Sequence, residues 1–284
     1  MSYRRAPFWA VCLQLILGGT VGLAWGQEPP PLPKEAVSKE AKTSADLKMD
    51  RLSWGKDVDG EAPIRRLEVR NDYGDIRVRF TEERRVAAWA VVQRLDPEHG
   101  EVGFTVERRG DTIALTVAYP PGRVRDSDPD PPKDSLDRLD LAVFLPEGVS
   151  LGAQTLRGMV EARGLKSDLA ARTLAGNVFA ASSGTIQATT TSGSITAFVA
   201  PAPATPTQRP FLFLSASGPI TLTASPRADL AINLQTAGEV VSAFPLKRDR
   251  ATVGTRASGK LGKPARQLLA VSETGRIEIR RAEH

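Results

Sequence analysis

The chain has 284 residues, 41% of them hydrophobic, and its 38 Lys and Arg against 33 Asp and Glu give a net charge of +5. That is enough chain for one large domain or two small ones with a real core, and too apolar for wholesale disorder. A single Cys and two His argue against most thiol chemistry, imidazole catalysis and His/Cys metal sites.

Arg4 and Arg5 precede an uncharged run from Ala6 to Gly26 that contains Phe8, Trp9, Leu13, Leu15, Ile16 and Leu17. A basic start, an apolar centre and the small residues Ala24 and Gly26 predict a secretory signal over residues 1–26, cleaved before Gln27. Left uncleaved, the same run would reach across a hydrocarbon layer of about 30 Å and act as a membrane anchor. Cys12 lies inside it, preceded by Val11 rather than the small residue that lipoprotein processing requires. The mature chain would then have no disulfide, and loss of Arg4 and Arg5 lowers the charge from +5 to +3. Such a balance does not predict a polyanion partner by itself. The expected location is outside the cytoplasm: periplasm, cell surface or medium.

Residues 27–60 open on Pro29, Pro30, Pro31 and Pro33 and continue in Lys, Glu, Ala and Ser. This composition predicts a disordered tether. Over 61–146 the period becomes two. Leu67 and Val69 alternate with Arg66, Glu68 and Arg70, and Ile76 and Val78 with Arg77 and Arg79. Ile113, Leu115 and Val117 repeat the pattern, as do Leu139, Leu141, Val143 and Leu145, so half-buried strands are predicted. Trp54 and Trp89 are expected in the core or capping it. Asn71-Asp72-Tyr73-Gly74 and Arg109-Gly110-Asp111 supply turn chemistry, and 120–137 is a Pro- and Asp-rich loop.

Over 147–284 one phrase keeps returning: a short polar run, Gly, any residue, then Ile or Val. Thr155 to Val160, Thr173 to Val178, Ala181 to Ile186, Thr190 to Ile195, Ser215 to Ile220, Gln235 to Val240 and Ser272 to Ile277 are copies, Asn71 to Ile76 is an earlier one and Ala257 to Leu261 a degenerate one. The repeat glycines are Gly74, Gly158, Gly176, Gly184, Gly193, Gly218, Gly238 and Gly275. One strand with its turn takes about 8–9 residues, so the longer steps between glycines hold two strands. The predicted fold is all-β: a β-solenoid, or stacked repetitive β-sheets, with an N-terminal antiparallel strand region. Ala at many second inward positions implies closely spaced sheets. The N-terminal strands and the charged tail Arg280 to His284 are expected to guard the open ends.

These residues resemble the bacterial putative-adhesin family DUF4097. The likeness rests on Leu67 to Ile76, on the strand Leu139 to Pro146 with its continuation to Leu151, and on the Gly-x-Ile/Val series through Ile195. It implies an exported or membrane-linked protein of repetitive β architecture and a surface role, without catalytic residues to carry over. The chain departs from the regular pattern at 120–137, at the Ala/Pro-rich insertion 200–210 and over 247–267.

Little chemistry stands out. His99 sits in a turn-like Asp96 to Gly100 segment and His284 is terminal; Ser53 to Lys56 matches Ser-x-x-Lys without companion motifs. Glu161, Asp168, Asp229 and Glu239 fall at different offsets from their nearest glycines and predict no acid/base pair. Asp126, Asp128 and Asp130 form a candidate Ca²⁺ loop, but Pro131 stands where the sharp turn wants Gly, so no metal site is assigned. Arg66, Arg70, Arg77 and Arg79 share one outward parity and suggest a basic face. No catalytic residue and no cofactor is expected. The predicted function is a non-enzymatic envelope or surface β-repeat protein, an adhesin or interaction scaffold; the alternative is a polysaccharide-active β-solenoid enzyme. The expected partner is a protein or an anionic envelope glycan rather than nucleic acid, with a membrane only through an uncleaved signal.

Overall fold

Period-two alternation becomes strand along the whole domain. The computed structural model describes residues 38–44, 47–60, 62–94, 101–120, 138–201, 209–250 and 254–283, all within one compact unit, Lys34–His284, and no helix occurs among them. The signal segment with Cys12, both histidines, the Asp126/Asp128/Asp130 loop and most of the 200–210 insertion lie outside the described residues.

The first strands are β1 (Ser38–Ser44), β2 (Leu47–Asp57), β3 (Arg66–Tyr73), β4 (Ile76–Thr81) and β5 (Arg85–Arg94). The hairpin β6 (Gly103–Arg109) and β7 (Thr112–Ala118) follows, then β8 (Arg138–Pro146). The repeat region contributes pairs: β9 (Ser150–Arg157) with β10 (Val160–Leu165), β11 (Leu169–Ala175) with β12 (Val178–Ser182), and β13 (Ile186–Ser192) with β14 (Ile195–Val199). Then come β15 (Phe211–Ser215) with β16 (Ile220–Ala224), β17 (Leu230–Thr236) with β18 (Val240–Ser242), β19 (Lys247–Arg250) and β20 (Thr255–Leu261). The chain ends on β21 (Arg266–Ser272) with β22 (Ile277–Arg281).

These strands form two 11-stranded sheets, β1-β2-β5-β8-β4-β10-β12-β14-β16-β22-β18 and β19-β20-β17-β21-β15-β13-β11-β9-β3-β7-β6. Each coil of the stack places one strand in each sheet, and successive coils pair in parallel. The residue two positions after the glycine is held in register from coil to coil. Ile76, Val160, Val178, Ile195, Ile220 and Ile277 form one buried column, with Val240 beyond it. Ala162, Ala180 and Ala197 form the next, which lets the sheets approach closely.

Coil order in space departs from coil order in sequence at both ends. The coil β3/β4 lies between β7/β8 and β9/β10, and the last coil of the chain, β21/β22, lies between β15/β16 and β17/β18. Arg280 and Arg281 therefore belong to an internal strand, not to an end guard as expected. The ends are closed by antiparallel strands: β5, β2 and β1 in the first sheet at one end, and β6 and then β20 with β19 at opposite edges of the second. All of β19 (Lys-Arg-Asp-Arg) is exposed, and charge on an edge strand discourages pairing with another chain. It lies within the stretch 247–267, so that irregular segment is an edge hairpin.

The expected tether is shorter than its composition suggests. Residues 47–57 are strand β2, paired over its length with β5, and Leu52 and Trp54 are buried. Charged outward residues on an end strand gave β2 a disordered composition, although its inward positions are apolar.

Candidate functional site

The repeat phrase serves packing. Gly74, Gly158, Gly176, Gly193, Gly218 and Gly275 stack at one corner; a Cβ on Gly176 would lie 2.0 Å from the Gly158 carbonyl oxygen, and one on Gly193 2.1 Å from that of Gly176. No side chain fits such a separation. Beneath this column runs a buried row of hydroxyls. Thr155 Oγ1 donates to Gly74 O at 3.1 Å, Thr173 to Gly158 O at 3.1 Å, Thr190 to Gly176 O at 3.0 Å, and Ser272 to Gly218 O at 3.1 Å. Gly238 sits at the same corner, against Gly275. Gly184 does not: it packs on Ser167 and Asp168 at the opposite corner, between β12 and β13. Asn71 replaces the hydroxyl at the first site, its Nδ2 donating to Leu139 O at 2.8 Å while Oδ1 accepts the Tyr119 hydroxyl at 2.8 Å.

The four carboxylates singled out by sequence are dispersed. Asp168 Oδ1 accepts the Thr185 N–H at 2.9 Å and its other oxygen lies 3.7 Å from Arg209, in a shallow recess of about 80 Å³. Asp229 accepts the Lys263 N–H at 2.8 Å, and Glu239 is an exposed partner of Arg276. Glu161 stands apart, because it is buried at an outward position of the sheet. Its register is regular, opposite Arg77 on β4 and Phe179 on β12; the shift against β12 falls later in the strand, between Ala162 and Leu165. Among the described residues, no group of three or more His, Cys, Asp or Glu is arranged to hold a metal.

Glu161 is the centre of an ion-pair ladder across the outer face of the first sheet. Its oxygens lie 2.7 Å from Arg79, 2.5 Å from Arg163 and 4.0 Å from Arg77. Arg77 in turn reaches Asp75 at 2.8 Å, and Arg138 bridges Asp75 and Asp140 at 2.9 Å each. The two neighbouring carboxylates raise the Arg138 pKa against the opposing pull of burial. Asp75 also accepts the Met159 N–H at 2.9 Å, so the ladder is tied to the glycine corner.

Aromatic side chains flank the ladder. Trp89 on β5 is 49% exposed and meets Phe144 on β8 edge to face, with centroids 4.8 Å apart. On the other side Arg163 covers the Phe179 ring at 4.6 Å, and Phe198 on β14 is 38% exposed. Trp89 was expected in the core or capping it; Val86, Ala88, Ala90 and Val92 take the inward positions instead, leaving Trp89 on the outer face. Nor do the four arginines of the expected basic face share one. Arg66 and Arg70 belong to the second sheet, paired to Glu68 and Asp72, whereas Arg77 and Arg79 belong to the first. The first sheet gains others: Arg51 and Arg85 project on the same side as Trp89, both exposed and without a carboxylate partner among the described residues. Arg85 lies across Gly55, where a Cβ would stand 2.6 Å from its Nε.

Sequence reasoning did not single out Arg266. It is buried, donates to Ala200 O and Ala228 O at 2.9 Å each, stacks on Phe211 at 4.8 Å and leaves Nε without a partner. Burial lowers its pKa, with Asp229 acting in the opposite sense. It clamps the last coil onto the strand ends around the insertion.

No protein-family model matches the chain, and no curated protein is similar to it. Among solved structures it is similar to a putative cell adhesion protein from Clostridium sporogenes ATCC 15579, at TM-score 0.44 and 10% identity over 81% of this chain and 99% of that one. A putative adhesin from Bacteroides fragilis NCTC 9343 aligns at TM-score 0.28 and 10% identity, over 82% and 97% of the two chains. One from Parabacteroides distasonis ATCC 8503 aligns at TM-score 0.24 and 12% identity, over 82% and 98%. At these values no residue of those proteins assigns a role to a residue here.

Proposed function

We propose that this protein is a non-enzymatic interaction module of the cell envelope, a rigid β-repeat slab that engages its partner through the outer face of the first sheet. The observation that carries this reading is Trp89, about half exposed on a sheet whose other large apolar side chains are mostly inward. A large exposed aromatic among arginines is the composition of a contact surface. Rigidity supports it too, since stacked strands fixed by glycine and hydroxyl columns lose little freedom on binding. Export and an adhesin-type role belong to this proposal through the signal-like N-terminus and the family resemblance of the repeat. The enzyme reading is less well supported: Asp75 and Glu161, the buried carboxylates of this face, are already taken up by arginine partners.

The test is retention of the native envelope fraction on immobilised protein. Wild type and Leu174→Ser, a change on the outer face of the second sheet, should retain the same component, and Trp89→Ala should not. Equal retention by Trp89→Ala, or none by wild type, would overturn the assignment.

A further inference from the structure

Resting on that reading of the face, we infer that its ligand is an acidic polysaccharide carrying uronate carboxylates, laid along β5 with one sugar ring on Trp89. Three features support this. First, the strip from β2 to β10 carries six guanidinium groups, Arg51, Arg85, Arg138, Arg77, Arg79 and Arg163, against four carboxylates, Asp57, Asp140, Asp75 and Glu161, with Asp57 opposite Arg85 in the β2–β5 register. Arg51 and Arg85 are the two that form no ion pair among the described residues, and planar guanidinium matches a carboxylate in a two-pronged hydrogen bond.

Second, these two flank the indole. Ser53 is paired with Trp89, Arg51 is two residues to one side, and the Arg85 guanidinium lies over Gly55, two residues to the other. At about 3.3 Å per residue the two charges are roughly 13 Å apart along the strand. That spacing suits carboxylates borne on separate sugars of one polymer, not two oxygens of one small anion.

Third, Phe144 holds the Trp89 ring edge to face at 4.8 Å, leaving a fixed apolar plate beside acceptor groups. Asp75 and Glu161 on the next strands are buried and held by arginines, whereas Asp140, with its side chain 20% exposed, offers an oxygen acceptor to a sugar hydroxyl. One ring pair is not the succession of stacking platforms that single-stranded nucleic acid uses. Arg51, Trp89 and Arg85 are thus the specificity residues of the site.

The experiment is calorimetric titration of the full chain with polygalacturonate oligomers, with fully methyl-esterified oligomers of the same backbone, with inorganic polyphosphate and with single-stranded DNA. Polygalacturonate should bind with an affinity that falls as salt rises, and the methyl ester should bind roughly tenfold or more weakly. The double variant Arg51→Gln/Arg85→Gln should lose roughly tenfold, and Trp89→Ala a similar factor. Circular dichroism of each variant checks folding, and Trp89→Phe should recover part of the binding. Tighter binding of polyphosphate or DNA, or undiminished polygalacturonate binding by Trp89→Ala, would overturn the inference. If the oligomers do not bind while envelope retention still depends on Trp89, the face remains an interaction surface and the glycan assignment fails. If retention is also lost, both fall.

Discussion

Gly176 stands directly on Gly158, with 2.0 Å between the place a methyl would occupy and the carbonyl oxygen of the coil below. One added carbon there must push two coils apart along a sheet whose strands are otherwise evenly paired. Gly176→Ala should therefore cost about 3 kcal/mol. Gly60, with nothing within 4 Å of its hypothetical Cβ, is the control: Gly60→Ala should change stability by less than about 0.5 kcal/mol. Urea denaturation of the two variants measures both. Equal midpoints would mean the column is not a packing constraint.

The hydroxyl row makes a chemical prediction beside that steric one. Thr173→Val keeps the shape and removes the donor to Gly158 O, leaving a buried carbonyl short of one partner. The expected loss is about 1–2 kcal/mol, with Thr173→Ser close to wild type.

Tyr119 sets the alkaline limit. Burial holds its phenol above the usual tyrosine range, and the hydroxyl it would have to ionise donates to the Tyr73 carbonyl. In the unfolded chain the phenol ionises near pH 10. Its contribution is therefore complete below about pH 10 and is lost as pH rises through that value toward the folded-state one. Tyr119→Phe should lower stability at neutral pH by about 1–2 kcal/mol and make the alkaline limb shallower. Thermal melts from pH 7 upward test this, and parallel curves for the two proteins would refute it.

Glu161 holds together three arginines that are each more than a third exposed. Removing it leaves like charges half in water rather than sealed in a core. Glu161→Ala should then cost roughly 1–3 kcal/mol, between the values for exposed and buried pairs. Added salt should recover part of the loss, because the arginines left behind repel one another. A melting temperature that salt fails to raise would show that lost packing, not charge, dominates.

How much of this was readable in advance follows from what each residue's surroundings demand. Thr155-x-x-Gly158-x-Val160 was legible because a close approach, a buried acceptor and an inward position each dictate a residue type at a fixed offset. Trp89 was legible in principle, since the inward residues Val86, Ala88, Ala90 and Val92 leave it the outer parity. Glu161 was not: its offset marks an outward, solvated acid, and its burial comes from Arg79 and Arg163 on β4 and β10. Coil order was also hidden, because Gly238 and Gly275 carry the same phrase and nothing local says which coil stacks on which.

That hidden order has a measurable consequence. In a solenoid wound in sequence order, removing the last coil exposes one new end and leaves the rest in place. Here β21 and β22 lie between β15/β16 and β17/β18, pairing with strands on both sides. Deleting residues 263–284 would part the stack, strand the β17–β20 end and expose Phe211, Phe213, Ile220 and Leu222, which pair against the missing strands. The truncated chain should lose its cooperative thermal transition and bind a hydrophobic dye. Deleting β19, an exposed charged edge, should leave the transition within a few degrees of wild type. A truncated chain that melts cooperatively near the wild-type temperature would show that the terminal coil is an accessory rather than part of the stack.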